Sequence, residues 1–262
     1  MAEGLTHLTA AVAALRSVEE LYVVRSIEQR TSAVVEVWLR PLDGLLEYVP
    51  GEYVLLEDEL HRVPPRSFSI ANAPRPDGLI SLLVTRVPGG ETSGWVHDRL
   101  RVGAQVSISG PYGTFVGDPT SCRPALFLAA GSGLAPIRAL LEAGLSGGRR
   151  RSLTLIFSAR TEADVIDRGR FERWQAEHAE FRFIRTLTRG SGLPPRGRIP
   201  ALLPELCADL SAHDVFIAGA AGFVRASAAA ADALGARRER VHTAVFFAEP
   251  QPWASGSGRE GW

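Results

Sequence analysis

Two textures of hydrophobic patterning divide the chain. Between about Leu21 and Ser109, apolar residues come in short or alternating runs: Val34–Leu39 (VVEVWL), Tyr53–Leu56, Leu79–Val87 and Gln105–Ser109. Such runs predict strands, because successive side chains of a strand point to opposite faces of the sheet. Pro50-Gly51, Pro76-Asp77-Gly78 and Pro88-Gly89-Gly90 punctuate them with residues that favour turns. Many short strands at close spacing predict a small antiparallel barrel, interrupted by one helix over Ser93–Leu100.

From Pro124 onward, strand and helix patterns alternate. Ala125–Ala130, Leu153–Phe157, Phe181–Thr186 and Val215–Ala218 read as strands, and Pro136–Ala143 and Phe171–His178 as helices. Alternation of this kind implies βαβ units and a parallel sheet. The polar stretch Asp118–Arg123 marks the boundary, giving segments 21–118 and 119–248. Leu5, Leu8, Val12 and Leu15 recur at helical spacing, so the extension 1–20 is expected to carry a short amphipathic helix over 5–16. The Gly- and Ser-rich stretch 249–262 reads as a flexible tail.

Composition narrows the chemistry. The 262 residues are 45% apolar, enough for one large or two modest cores. Twenty-nine arginines, with no lysine, balance 29 acidic residues, and a chain of zero net charge is a poor nucleic-acid binder. The absence of lysine removes Schiff-base and Walker-lysine chemistry. Two cysteines, Cys122 and Cys207, are too few for an iron–sulfur cluster and lie far apart without the partner motif of a structural zinc site, so no metal is expected. The same scarcity argues against a disulfide framework and for a reducing compartment. The longest apolar run, Ala125–Leu141, falls short of the ~20 residues of a membrane span and contains Arg138. With no signal-peptide pattern at the N-terminus, the expectation is a cytoplasmic protein with no membrane partner.

Four motifs carry candidate chemistry. Arg66-Ser67-Phe68-Ser69 offers a guanidinium for phosphate, a ring for a flat heterocycle and a hydroxyl for a ring nitrogen. Pro88-Gly89-Gly90-Glu91-Thr92-Ser93 enters a helix, whose N-terminal amides favour an anion. Gly110-Pro111-Tyr112-Gly113-Thr114-Phe115 is an aromatic turn ending the barrel. Gly131-Ser132-Gly133-Leu134-Ala135-Pro136 lies between a strand and a helix, as a dinucleotide loop requires, although Pro136 replaces the last glycine of the usual pattern.

In this order, over about Leu21 to Phe247, the motifs resemble the ferredoxin–NADP⁺ reductase superfamily, and most closely the reductase components of bacterial ring-hydroxylating dioxygenases and monooxygenases. The resemblance implies a flavin-binding antiparallel β-barrel followed by an α/β parallel-sheet NAD(P)-binding domain. It implies FAD and a nicotinamide nucleotide, NADPH rather than NADH, and a ferredoxin or oxygenase as electron acceptor. Arg66 would grip the flavin phosphate, with Ser67 beside it. Phe68 would flank the isoalloxazine and Ser69 would approach its N5. Gly90, Thr92 and Ser93 would hold the pyrophosphate. Gly131, Ser132, Gly133 and Pro136 would form the nucleotide loop, and Ser158, Arg160 and Arg189 would receive the adenosine 2′-phosphate. Val84, Gly219 and Phe246 complete the implied cofactor-binding set.

The sequence departs from the family pattern at two positions. Ala218 and Ala244 stand where the family usually has a cysteine and a carboxylate, and looser positioning predicts flavin reduction slower by about one to three orders of magnitude. Glu249 is a possible substitute for the carboxylate, and His242 is a candidate proton donor. Two alternatives to a reductase stay open: a redox-neutral or scaffold use of bound flavin in biosynthesis, and a non-enzymatic electron-transfer subunit docking through residues 5–16.

Overall fold

A computed structural model describes residues 18–147, 151–189 and 195–246. The helix expected over 5–16, the tail 249–262 and Glu249 lie outside the described residues. Six antiparallel strands form the first sheet: β1 (Val18–Thr31), β2 (Val34–Pro41), β3 (Tyr53–Asp58), β4 (Arg66–Ser69), β5 (Ile80–Thr85) and β6 (Gln105–Tyr112). Their order is β4-β3-β6-β1-β2-β5, and a bridge between Ile70 and Leu82 brings the two edges together into a nearly closed barrel. Val24, Val37, Leu39, Val54, Leu56, Ile80, Leu82 and Ile108 fill its interior.

β2 shows how the halves are joined. Val35, Val37 and Leu39 point into the barrel, whereas Val34 belongs to the core of the second half and Glu36 is buried on that same outer face. A strand covered on both sides loses its polar face, which is why VVEVWL is almost wholly buried. Helix α1 (Glu91–Asp98) follows β5 and buries Trp95 and Val96 in the barrel core. It begins two residues before the predicted helix, at the glycine turn.

The second half is a five-stranded parallel sheet of β7 (Ala125–Ala130), β8 (Leu153–Ala159), β9 (Phe181–Leu187), β10 (Asp214–Ala220) and β11 (Val241–Phe246), in the order β11-β10-β7-β8-β9. Strand order reverses between β7 and β10, and the carboxyl ends at such a reversal form a ligand crevice. The connections include α2 (Leu134–Ser146), α3 (Arg168–Glu177), α4 (Ile199–Leu206) and α5 (Ala221–Ala233). The first two are longer than predicted, and the last two were not predicted. Among the described residues no helix is long and apolar enough to cross a membrane.

Candidate active site

Two cavities open where the barrel meets the carboxyl edge of the parallel sheet. The first, of about 620 Å³, is lined by Tyr53, Arg66–Ser69, the start of α1 and residues 243–246 of β11. The second, of about 550 Å³, takes in Gly131, Ser132, Ser158, Arg160, Thr188 and Gly219. Ser67, Phe68, Ser69, Thr85, Val87 and Phe246 belong to both walls, so the two spaces join over β4. β4 is only four residues long and pairs on one side with β3, which leaves Ser67, Phe68 and Ser69 open to both cavities and Arg66 to the first.

The donors of the first cavity are arranged by the turn before α1. Gly90 caps that helix without a side-chain hydrogen bond. The Thr92 hydroxyl donates to Pro64 O at 2.5 Å, and Ser93 Oγ accepts from the Val87 amide at 3.1 Å. Both hydroxyls therefore fix the turn, and what α1 offers a ligand is its first-turn backbone amides, at the positive end of the helix dipole. A Cβ at Gly90 would lie 2.7 Å from Ser93 Oγ, so a side chain there would displace the hydroxyl that fixes the turn.

In the second cavity the Gly-rich loop divides its labour. Gly131, with φ of +57°, turns the chain and lines the cavity with Ser132. Gly133 and Pro136 are buried behind it. A Cβ on Gly133 would come within 2.2 Å of Ala218 O, so this glycine lets α2 pack against β10 and does not face the cavity. Ser158 and Arg160 reach the cavity from the end of β8, whereas Thr188 lines it instead of Arg189, whose amide donates to Arg160 O at 2.9 Å.

Two further predicted residues are placed elsewhere. Val84 points into the barrel core, and the period of two puts Leu83 and Thr85 on the cavity side. His242 stacks on Phe216 with ring centroids 4.6 Å apart and a 9° interplanar angle, and it lines neither cavity. Burial there pushes its imidazole below the ordinary histidine range, favouring the neutral ring. Ala218 is fully buried beside Ala244 in register, and Ala244 lines the first cavity. Sequence reasoning missed Tyr53, Thr85 and Val87 in the walls. It also missed Asn72, whose side chain donates to Leu79 O at 3.0 Å and accepts from the Ser81 amide at 2.7 Å, bracing the chain after β4.

These residues fit a flavin dinucleotide and a nicotinamide nucleotide. Each cavity falls within the ~300–1,000 Å³ of small-molecule sites. A guanidinium and helix-start amides in the first, and a left-handed glycine before a helix in the second, are groups suited to phosphates. The chain matches the oxidoreductase FAD-binding domain over residues 24–116 and the oxidoreductase NAD-binding domain over residues 127–229. It is 39% identical over 186 residues to ferredoxin–NADP reductase B of Sorangium cellulosum, covering 68% of this chain and 76% of that protein. It is 30% identical over 243 residues to the electron transfer component of the xylene/toluene monooxygenase of Pseudomonas putida, covering 90% and 68%. Of several other oxygenase-system relatives it spans only 41–62%. The crystal structure of the Amycolatopsis cytochrome P450 reductase GcoB aligns with a TM-score of 0.83 and 27% identity, covering 89% of this chain and 71% of that one. The chain belongs to the ferredoxin–NADP reductase family of FAD- and NAD(P)-binding oxidoreductases.

Proposed function

We propose that this protein is a cytoplasmic reductase that takes electrons from NADPH and delivers them singly to a separate ferredoxin or oxygenase component. The observation that carries this reading is the junction of the two cavities at Ser67–Ser69 and Phe246, where a flavin ring and a nicotinamide can be held against each other. Bound flavin would supply the coupling of two-electron hydride chemistry to one-electron transfer.

The chain's own residues hold and orient. Segment 21–118 binds the flavin: Arg66 and the α1 amides bind its phosphates, Phe68 flanks the ring, and Ser69 presents its hydroxyl at the junction. Segment 119–248 binds the nucleotide: Gly131, Ser132 and the start of α2 take the pyrophosphate. Ser158 and Arg160 take the 2′-phosphate, with Arg189 adding positive charge behind them. Phe246 closes the junction on the β11 side. Two free cysteines, Cys122 and Cys207, agree with a reducing compartment.

The test is to identify the released flavin and follow its visible absorbance anaerobically on adding NADPH and then NADH. Bleaching, faster with NADPH, is the expected result. A protein that keeps its flavin but is bleached by neither nucleotide would refute the reductase and favour a redox-neutral use of the same site.

A further inference from the structure

One side chain in the otherwise apolar Ala125–Leu141 stretch is charged, and it is the largest fully buried side chain of the described molecule. Arg138, on the second turn of α2, is 0% exposed and spans the seam between the two halves. Its Nε donates to Ala71 O at 2.5 Å, and its Nη2 donates to Glu36 Oε1 at 2.5 Å and to Ser81 Oγ at 2.6 Å. All three acceptors are on the barrel. Its Nη1 donates to Asp167 Oδ2 at 2.5 Å, on the parallel-sheet side. Arg30 completes the array from β1, pairing its guanidinium with Glu36.

We propose that Arg138 is a positioning residue that fixes the register of the barrel against the parallel-sheet half and so sets how the nicotinamide meets the flavin. This rests on the reading of the two cavities given above. Apolar contact across the seam, from Val34, Ala71, Leu83 and Phe115, is non-directional and tolerates small slides. Charge-assisted hydrogen bonds are directional, and a guanidinium engaged through all three nitrogens admits one register. A buried ion cluster is a weak means of adding stability, because desolvation consumes most of its Coulomb energy. Its placement speaks for geometry. Glu36 and Ser81 each lie two residues along the strand from a residue of the nucleotide cavity wall, Val34 and Leu83. Asp167 directly follows Ile166, which lines the same cavity with Arg160 and Asp164. Asp167 holds φ of +57°, a conformation non-glycine residues rarely adopt, at the turn that joins this wall to α3.

The experiment removes the three buried side-chain charges together, as Glu36→Gln/Arg138→Met/Asp167→Asn; Arg30 and Arg170, which lose Glu36 and Asp167 as partners, are partly exposed and stay in contact with water. Asn at 167 tolerates the left-handed turn. In fully flavin-loaded protein at saturating NADPH, the first-order rate of flavin reduction is expected to fall about 10–100-fold, the scale of an ångström of misplacement. Hydrogen exchange without nucleotide is expected to rise at 71–73 and 160–167 while β3 and β6 stay protected. Asp167→Asn alone, which keeps the Arg138–Glu36 pair, is expected to show the same two changes to a smaller degree and serves if the triple variant does not fold. A rate within twofold of the parent, or an unchanged exchange pattern at those segments, overturns the proposal. Failure of the parent protein itself to be reduced by NADPH or NADH overturns instead the functional reading on which it rests.

Discussion

Replacing Gly133 with alanine tests whether the nucleotide loop is built by close packing of α2 on β10. The added Cβ would lie 2.2 Å from Ala218 O, 2.4 Å from its carbonyl carbon and 2.6 Å from the Gly219 amide nitrogen. These are backbone atoms of a central strand, paired on one side with β7 and on the other with β11, so no side-chain rotation relieves the contact. Reaching ordinary contact at 3.4 Å from 2.2 Å requires a separation of about 1.2 Å. That shift is imposed on the first turn of α2, immediately after Gly131 and Ser132. Overpacking of this kind costs ~1–3 kcal/mol or somewhat more, and an ångström at the loop costs about 100-fold in hydride transfer. Gly131→Ala is the comparison. There a Cβ meets nothing within 4 Å, and the penalty is conformational, about 1 kcal/mol for a left-handed alanine. Urea unfolding gives the stability difference, and anaerobic stopped-flow absorbance gives the limiting rate of flavin reduction. If Gly133→Ala is as stable as Gly131→Ala and reduced within threefold of the parent rate, the packing argument is wrong.

Three further outcomes follow from the same structure. Burial pushes the Glu36 carboxyl up, but the charge of Arg138, hydrogen bonds from Ser81 and Arg138, and the charge of Arg30 outweigh it and hold the group at about 2 against an ordinary 4.5. A folded-state value below the unfolded one stabilises above pH 4.5 and is lost as pH falls through 2, so acid unfolding of the parent should be steeper over that window than that of Glu36→Gln, by about 3 kcal/mol in all. Arg160→Gln should reduce the preference for NADPH over NADH by about 10–100-fold in kcat/KM, the worth of a hydrogen-bonded charge, with little effect on NADH alone. Ser69→Ala should slow flavin reduction by about 10–100-fold while leaving the urea midpoint almost unchanged, because the hydroxyl faces the cavity junction and not the core.

The two-part architecture was legible because burial in each half follows a simple period. β2, β3, β5 and β6 were read from short apolar runs, and β7–β10 from apolar runs spaced by helices. β1 was harder. It carries Glu19, Glu20, Arg25, Glu28 and Arg30, and its register slips between Val24 and Ser26 and again between Gln29 and Thr31, so the alternation breaks twice. Helix α5 escaped because its run of alanines gives little contrast between faces. Helix α4 escaped because Pro200 and Pro204 read as breakers; the first is tolerated in the opening turn, where no intrahelical amide bond is lost.

At the site, motif and side-chain direction separate. The four motifs locate the chain segments that converge, but which residue faces the cavity is decided by register: Thr85 and not Val84, Ser132 and not Gly133, Thr188 and not Arg189. Each exchange is a shift of one residue, and one residue reverses the face of a strand or the inside of a turn. Arg138 marks a different limit. Locally it is an arginine breaking an apolar run, and its meaning comes from Glu36, 102 positions away, and Asp167, 29 positions on. No spacing rule joins such residues. They are joined because an arginine enclosed by apolar packing must find acceptors, and those within reach lie on both sides of the seam that brings the cavities together. A cost that hydrophobic packing alone would avoid is thus borne where relative position matters, which makes geometry, more than stability, the property its removal should disturb.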